Sequence, residues 1–562
     1  MLRSELMTGD GRGRRRGAVL RAAGVGIAVT MLAVLLMPDR AARAEQAAAP
    51  TAGVIEPVMS CEDLRDADLT GIPDASTVIS TAKPATAPQG HRICQVKGTV
   101  EGRIQFVAEL PTETWTGRYL QAGCGSFCGY LYIGLNAADG CAPIEGGGFA
   151  LAADDTGHVM TDGGASWGHD DSVARADWGW RSEHLTSLSL KGVIAEFYGQ
   201  RPERSYFDSC SNGGRQALML AQRFPYDFDG IIATAPANIY SAGFGQSAAY
   251  MALANRDANN EEILTADKLG PLHRAVVRRC DDNDGLADAQ ITDPRDCRFD
   301  PASVACSPGE DRVRCLTPAQ VRTVRMLYRG ARDRHDRRLY PGGLERGSEL
   351  DWADMIVSTP DMQTPEPLAY FGAEQFLKHL AFRRNPPESF TLADTLFGAR
   401  MLRRLERMSR WYDSDDPDLT AFRDAGGKLI LSHGWADGVV PPRGMLAYRQ
   451  AIEDEMGGYS QVQTFSRLFM LPHLRHCTGG DGPNRVDLVT PMLRWVEDGK
   501  VPTKVVASQR VDGAVVRTRP VYNYPVAAAY DGTGDIDRAR NFRPDVPAQR
   551  PDDHIDWLGE FG

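Results

Sequence analysis

Apolar residues follow two different periods along this chain, and the order of the periods is informative. Residues 204–209 form a short strand-like run. Over 213–224 the apolar positions Ala217, Leu218, Leu220, Ala221 and Phe224 keep helical spacing. Residues 230–235 are again apolar and β-branched, and Pro236 ends them. Strand, tight turn, helix and strand in that order are the signature of a βαβ unit in a parallel sheet. Residues 428–433 and 468–471 repeat the strand pattern, each running into a loop of Gly, Pro and polar residues. Between about 238 and 415 the text changes: Arg, Asp, Pro and Cys are frequent, and the apolar periodicity is helical or irregular. The expectation is an α/β fold whose sheet is covered at one end by a large insertion. No internal repeat of about 20–50 residues is present, and the one low-complexity tract is the Ala-rich 41–52.

The N-terminus reads as an export signal. Arg12 and Arg14–Arg16 precede an apolar run over 22–37, and Ala42-Arg43-Ala44 supplies a small-x-small cleavage pattern. The run is shorter than the ~20 residues of a membrane span, so cleavage after Ala44 is favoured over an anchor. Arg14-Arg15-Arg16 also admits a twin-arginine signal. The expected organisation is a signal peptide at 1–44, a first core segment at 45–237, a lid domain at 238–415 and a second core segment at 416–562. The mature protein is expected to be soluble, periplasmic or secreted, with no membrane contact after cleavage. Eleven Cys agree with an oxidising compartment. At 562 residues the chain exceeds a single core, and 42% hydrophobic with 24% charged residues excludes a mostly disordered chain. The formal charge is −11, and the first 44 residues hold eight Arg against three acids, which leaves −16 on the rest. Such a surface argues against nucleic acid as a partner. The sequence leaves the oligomeric state open.

Three strand-end loops carry the chemistry. Ser209-Cys210-Ser211-Asn212-Gly213-Gly214 lies between the strand at 204–209 and the helix after it. A nucleophile on so sharp a turn needs small neighbours two residues to either side, the logic of G-x-S-x-G; Ser209 and Gly213 fill those places. Ser211 at a helix N-terminus equally suits a capping role. An acyl-transfer site also needs a base and an acid to orient it, in the chain order Ser, acid, His. Asp437 follows the run 428–433, and His473 and His476 follow 468–471. Any one of these, like His433, is by itself compatible with a structural role. Cys210 precedes Ser211, however, and Cys477 follows His476. A disulfide between them would hold their Cα atoms about 5.5–6 Å apart and bring Ser211 and His476 together.

These residues resemble the tannase and feruloyl esterase family of α/β-hydrolases. The matching text includes Cys-Ser-Asn-Gly-Gly-Arg-Gln-Ala (210–217), Ala-Gln-Arg-Phe-Pro (221–225), Phe-Asp-Gly-Ile-Ile-Ala (228–233), Ala-Pro-Ala (235–237), Arg-Leu-Phe-Met-Leu-Pro (467–472), His-Cys-Thr-Gly-Gly (476–480) and Trp-Val-Glu-Asp-Gly (495–499). The likeness runs from about Cys61 to Phe542. It implies a secreted serine esterase with the triad Ser211, Asp437 and His476, the bridge Cys210–Cys477 and a lid inserted after the nucleophile helix and its strand. It also implies an oxyanion hole made by the N–H of Asn212, whose side chain is not required, and an N–H of the loop 123–129 (Gly-Cys-Gly-Ser-Phe-Cys-Gly), where Ser126 holds the expected place.

The resemblance further pairs Cys61 with Cys94, Cys280 with Cys297 and Cys306 with Cys315. Cys124, Cys128 and Cys141 are left, an odd set of which two can pair. The acidic loop Cys-Asp-Asp-Asn-Asp-Gly-Leu-Ala-Asp (280–288) admits two readings from composition, a solvated loop or a site where Asp281, Asp284 and Asp288 converge with the carbonyls of Leu286 and Gln290 on a hard cation. The family's Cys-Asp-x-x-Asp-Gly-x-x-Asp loop carries structural Ca²⁺, and the match implies the same here. Phe371 and Trp435 are candidates to stack on an aromatic acyl group, although lid aromatics more often serve as packing residues. Pro367-Leu368-Ala369-Tyr370-Phe371 lacks the Arg that would grip a terephthalate carboxylate. The expected substrate is a small aromatic ester of the feruloyl, galloyl or benzoyl type. Hydrolysis of mono(2-hydroxyethyl) terephthalate-like esters is the alternative, and a secreted serine peptidase or a non-catalytic calcium-stabilised binding protein are the further rivals.

Overall fold

The parallel strands form where the continuous apolar runs are. In the computed structural model, which describes residues 53–309, 312–559 and 561, nine strands make one sheet: β1 (Thr77–Thr86), β2 (Arg92–Val100), β3 (Ile104–Pro111), β4 (Arg118–Ala122), β5 (Phe149–Asp154), β6 (Arg204–Cys210), β7 (Gly230–Thr234), β8 (Lys428–Gly434) and β9 (Ser466–Leu471). The signal segment expected at 1–44 lies outside the described residues. The strand order is β1-β2-β3-β5-β4-β6-β7-β8-β9. β1, β2, β3 and β5 pair antiparallel in turn, and from β5 through β9 every pairing is parallel.

Side-chain alternation sends each parallel strand into two cores. Ile231, Ala233, Leu429, Leu431, Leu468 and Met470 pack on one face with Ala217, Leu218, Leu220 and Ala221 of α1 (Asn212–Arg223). Ile232, Ile430, Phe469 and Leu471 point the other way, against Met492, Leu493 and Trp495 of the helix Val489–Asp498. Helices on both faces are why these strands read as unbroken apolar runs. β9 begins two residues before the expected 468, at Ser466 and Arg467. The Arg467 guanidinium is satisfied inside, with Nε donating to the Pro502 carbonyl at 3.1 Å and the group lying over Trp495 at 5.1 Å. Its polarity hid the strand from an apolar count.

β7 and β8 are hydrogen-bonded neighbours, yet residues 235–427 separate them. Among the described residues this segment is helices and short turns and contributes no strand to the sheet. It has its own core, in which Leu327, Trp352, Phe376, Leu377 and Met408 pack with Phe127 and Trp178 of the preceding segment. Cys280–Cys297 and Cys306–Cys315 form within it, and Cys61–Cys94 closes the region before β2. No described helix is long and apolar enough to cross a membrane. The sheet and its two helical faces make the doubly covered architecture of an α/β-hydrolase.

Because Leu218 is fully buried between α1 and the sheet, Leu218→Ala is expected to lower stability by about 2–5 kcal/mol, read as a shift of the urea midpoint at unchanged slope.

Candidate active site

Ser211 stands where β6 turns into α1, with φ 64° and ψ −123°, a conformation that favours glycine. The surrounding backbone holds it: Ser211 N–H donates to the Thr234 carbonyl at 3.0 Å, and its own carbonyl accepts from Arg215 N–H at 3.0 Å and Ala237 N–H at 3.1 Å. The glycines that follow are steric requirements. A Cβ at Gly213 would lie 1.8 Å from Ser209 Oγ, and one at Gly214 would lie 2.6 Å from the Thr234 carbonyl oxygen. Asn212 opens the helix, so its N–H is among the first four that lack an intrahelical acceptor.

The three loops converge. Ser211 Oγ lies 2.8 Å from His476 Nε2, and His476 Nδ1 lies 2.9 Å from Asp437 Oδ2. Cys210 and Cys477 are bridged, with Cα atoms 5.8 Å apart and a sequence separation of 267. Asp437 is fully buried and accepts from four donors. Oδ1 takes the N–H groups of Val439 (2.8 Å) and Val440 (2.9 Å), while Oδ2 faces His476 and His433 Nε2 (3.1 Å). Burial alone would raise the Asp437 pKa; the facing His476 and the hydrogen bonds from His433 and His476 outweigh it and hold the carboxyl well below the usual range. The opposite balance acts on His476, where burial lowers the pKa and Asp437, with the nearby Asp351, raises it above 6.5. His473, the other histidine of that loop, is committed elsewhere, with Nδ1 2.9 Å from Asp481 Oδ1 and Nε2 accepting Ile291 N–H at 2.7 Å.

The loop after β4 packs on the nucleophile turn. A Cβ at Gly123 would lie 2.6 Å from Gln216 Oε1, which accepts Cys124 N–H at 3.0 Å. Cys124 pairs with Cys128, which settles the open set and leaves Cys141 as a free, buried thiol whose pKa burial pushes up to about 11. Ser126 is exposed at φ 52° on the rim of the site, and the neighbouring Gly125 N–H donates to the Tyr130 hydroxyl at 3.0 Å. A cleft of about 550 Å³ opens over Ser211 and His476, walled by Gly125, Ser126, Tyr130, Tyr132, Phe244, Leu368 and Val439. Phe244, Leu368 and Val439 also wall a second, apolar cavity that reaches Met251 and Tyr340. Among the described residues, no Arg or Lys lines either one.

The model of the family described as tannase and feruloyl esterase matches residues 89–544. The chain belongs to the tannase and feruloyl esterase family. Relatives within reach of this family include an uncharacterized esterase of Xanthomonas campestris, 32% identical over 85% of this chain and 90% of that protein. The mono(2-hydroxyethyl) terephthalate hydrolase of Piscinibacter sakaiensis is 31% identical over 87% and 92%. A probable feruloyl esterase B-1 of Aspergillus flavus is 28% identical over 83% and 88%. Among solved structures, feruloyl esterase B of Aspergillus oryzae superposes with a TM-score of 0.75 at 23% identity, covering 86% of this chain and all of that one. The tannin acyl hydrolase of Aspergillus niger gives 0.69 at 19%, over 86% and 95%; these two likenesses speak to the fold. The protein is a carboxylic-ester hydrolase.

Within this family frame several expected residues sit differently. Trp435 and Phe371 do not line the cleft. Trp435 follows β8 directly, its N–H bonded to the Leu471 carbonyl at the end of β9, and its ring is buried under the Arg295 guanidinium at 5.2 Å. Phe371 lies on the helix Leu368–His379 almost one turn beyond Leu368, and it is Leu368 that reaches the cleft. The aromatic wall is supplied instead by Tyr130, Tyr132 and Phe244. The Asn212 side chain, expected to be idle, is engaged: Nδ2 donates to the Cys124 carbonyl at 3.3 Å, and Oδ1 accepts from Arg215 Nε at 2.7 Å. Arg215 is fully buried, bonds the carbonyls of Gly179, Tyr412 and Trp178, and stacks on Trp178 at 4.5 Å. Its long reach into the insertion had no periodic signal in the sequence.

The acidic loop 280–288 is folded on itself. Asp281 Oδ1 accepts the N–H groups of Asp288 and Gln290, each at 3.0 Å, Asp284 Oδ1 accepts Leu286 N–H at 3.0 Å, and Asp288 is ion-paired with Arg519. Burial pushes Asp288 above the usual carboxylate range; Arg519 and Arg517 oppose that, and Asp284 and Asp281 add to it. All-oxygen donors in one another's field suit a hard cation. Among the described residues, however, no three His, Cys, Asp or Glu side chains are grouped as ligands, and Arg519 acts as the counter-ion to Asp288.

Removing the bridge with a Cys210→Ala/Cys477→Ala pair is expected to cost about 2–5 kcal/mol of stability and to lower kcat about tenfold or more. Chemical denaturation and steady-state kinetics on one ester check both.

Proposed function

We propose that the protein hydrolyses esters of aromatic, phenolic acids through an acyl-enzyme on Ser211. The observation that carries this is the continuous chain Ser211 Oγ, His476 Nε2, His476 Nδ1, Asp437 Oδ2, closed by contacts of 2.8 and 2.9 Å. With the Nδ1 proton directed at Asp437, Nε2 is free to accept the Ser211 proton as Oγ attacks the ester carbonyl. Charge builds on the carbonyl oxygen, and the N–H groups of Asn212 and Ser126 receive it. In that loop the N–H groups of Cys124 and Gly125 are already taken by Gln216 and Tyr130, which supports Ser126 as the second donor. His476 then protonates the leaving alcohol. Water, deprotonated by the same imidazole, releases the acid. Asp437 stays ionised throughout and stabilises the imidazolium.

The cleft supports a neutral aryl acyl group. Its rings come from Tyr130, Tyr132 and Phe244, and it offers no cationic side chain to a second carboxylate. A terephthalate monoester would arrive with that carboxylate unpaired, at a desolvation cost. The segment 238–415 acts as the lid, since Phe244 and Leu368 come from it. The N-terminal segment, read as a signal peptide, and the disulfide bridges support a periplasmic or secreted location. A structural Ca²⁺ held by Asp281, Asp284, Asp288 and the carbonyls of Leu286 and Gln290, with no part in acyl transfer, would require these carboxylates to regroup and Asp288 to give up Arg519.

Ser211→Ala is expected to lower kcat/KM for methyl ferulate by about 10⁴-fold or more; hydrolysis at the parent rate would remove Ser211 from the reaction. Across a panel of methyl ferulate, methyl gallate, methyl benzoate and mono(2-hydroxyethyl) terephthalate, the terephthalate monoester should be the poorest. Because His476 acts as base only when neutral and its pKa is raised, kcat/KM should fall on the acid side with a midpoint above 6.5. Adding Ca²⁺ to chelator-treated protein should raise the Tm by about one to two degrees, about 1–2 kcal/mol of linkage, with initial rates at 25 °C nearly unchanged. An unmoved Tm would dismiss the ion.

A further inference from the structure

The segment between β7 and β8 reaches the reacting groups through one carboxylate. Asp351 lies in the short turn Glu349–Trp352. That turn is firmly based. Trp352 is fully buried with Nε1 donating to Ser348 Oγ at 2.9 Å, and Glu349 accepts from Gly347 N–H at 2.9 Å and the Tyr328 hydroxyl at 2.7 Å while facing His273 Nδ1 at 2.9 Å. From this base Asp351 Oδ2 accepts Gly438 N–H at 2.8 Å and His476 N–H at 3.2 Å. Gly438 directly follows Asp437. One oxygen atom therefore holds the loop of the acid and the loop of the base at once. The approach is close enough to require glycine, since a Cβ at 438 would lie 2.7 Å from the Asp351 carbonyl oxygen.

We propose that Asp351 is a positioning residue for the Ser211–His476–Asp437 triad: it holds the acid and base loops in register and sets a second negative charge beside the imidazole. The inference rests on the serine-esterase reading above. Asp437 and His476 are the charged groups that face Asp351, with His433 beyond Asp437. Burial raises the Asp351 pKa to about 6 with Asp437 adding to it, while the Gly438 amide, His476 and its backbone amide act the other way. When His476 takes the Ser211 proton, the new imidazolium feels two carboxylates in place of one, Asp437 at its ring and Asp351 bound to its backbone amide. That favours the protonated imidazole and raises the pH at which His476 becomes a competent base.

Two variants separate the two contributions. Asp351→Asn keeps an oxygen for the Gly438 and His476 amides and removes the charge. Asp351→Ala removes both. With p-nitrophenyl acetate, a neutral ester, Asp351→Asn should keep kcat at its optimum within about threefold and move the acid limb of kcat/KM down by about half a pH unit or more. Asp351→Ala should show the same displacement and also lose kcat about tenfold, with KM changed far less. A residue that only stabilises the fold would lower the Tm and leave the limb where it is. Parent kcat and an unmoved acid limb in both variants would overturn the proposal, as would an Asp351→Asn loss as deep as that of alanine with the limb unmoved. If Asp351→Ala does not fold, Asp351→Asn alone still reports the limb. The Ser211→Ala control keeps the failures apart: parent-like turnover in that variant sinks the serine mechanism itself, whereas its inactivity beside an unmoved Asp351 profile sinks only the positioning role.

Discussion

The bridge between Cys210 and Cys477 solves a distance problem that the sheet creates. β6 and β9 are not neighbours; β7 and β8 lie between them. At about 4.8 Å per strand, the ends of β6 and β9 are about 14 Å apart. The loop after β9 has five residues from Leu471 to His476, a reach of about 17 Å when fully extended. It must therefore extend almost fully to cross back over two strand ends, a conformation that an unfastened loop would rarely hold. The cystine fixes Cα atoms of the adjacent residues at 5.8 Å, so the Oγ–Nε2 contact is made before any substrate arrives. What the parallel register does for Ser211 and Asp437, by ending β6, β7 and β8 side by side, the covalent link does for the imidazole.

A buried carboxylate is costly unless every lone pair is used, and Asp437 meets that condition with two amides and two imidazoles. His433 has Nδ1 buried without a partner among the described residues, while Nε2 faces Asp437 and the Val440 carbonyl at 3.0 Å. Its proton therefore belongs on Nε2. It adds a donor to the acid without competing for Ser211. The amides of Val439 and Val440 come from the turn directly after Asp437, so its own loop adds two donors to those of the imidazoles. That arrangement lets the carboxylate remain ionised while the neighbouring imidazole gains and loses a proton.

What was legible in the sequence follows from how each feature is encoded. β6 to β9 and α1 were readable because both faces of these strands are covered, so apolar residues accumulate locally. β1 was harder, because as an edge strand it exposes much of its length and several of its positions are polar. Ser211, Asp437 and His476 were readable from strand ends in the right order, and the Cys210–Cys477 pair from adjacency. The hairpin-like pairing of Cys124 with Cys128 was not, since three cysteines competed for it. Asp351, Arg215 and the cleft residues Tyr130, Tyr132 and Phe244 left no local trace. Each acts through contacts across long sequence distances, and a lone Asp, Arg or aromatic carries no period. Trp435 misled for the same reason: its position beside Asp437 in the chain says nothing of the direction its ring takes, and the Leu471 carbonyl that holds its backbone turns it under Arg295.

The two halves of the site thus have different origins. The sheet supplies Ser211, Asp437 and His476, fixed by strand register and a cystine. The wall against which an acyl group must fit comes from elsewhere: Phe244 and Leu368 from the segment between β7 and β8, and Ser126, Tyr130 and Tyr132 from the loop after β4. Substitutions in that wall can alter the shape of the cleft without touching the contacts between Ser211, His476 and Asp437. Yet the separation is incomplete. Asp351 and Arg215 tie that same segment to the base loop and to the nucleophile helix, so a change that shifts the segment as a body also shifts the triad. Selectivity can drift through side chains facing the cleft; the backbone carrying them cannot move far without loss of the chemistry.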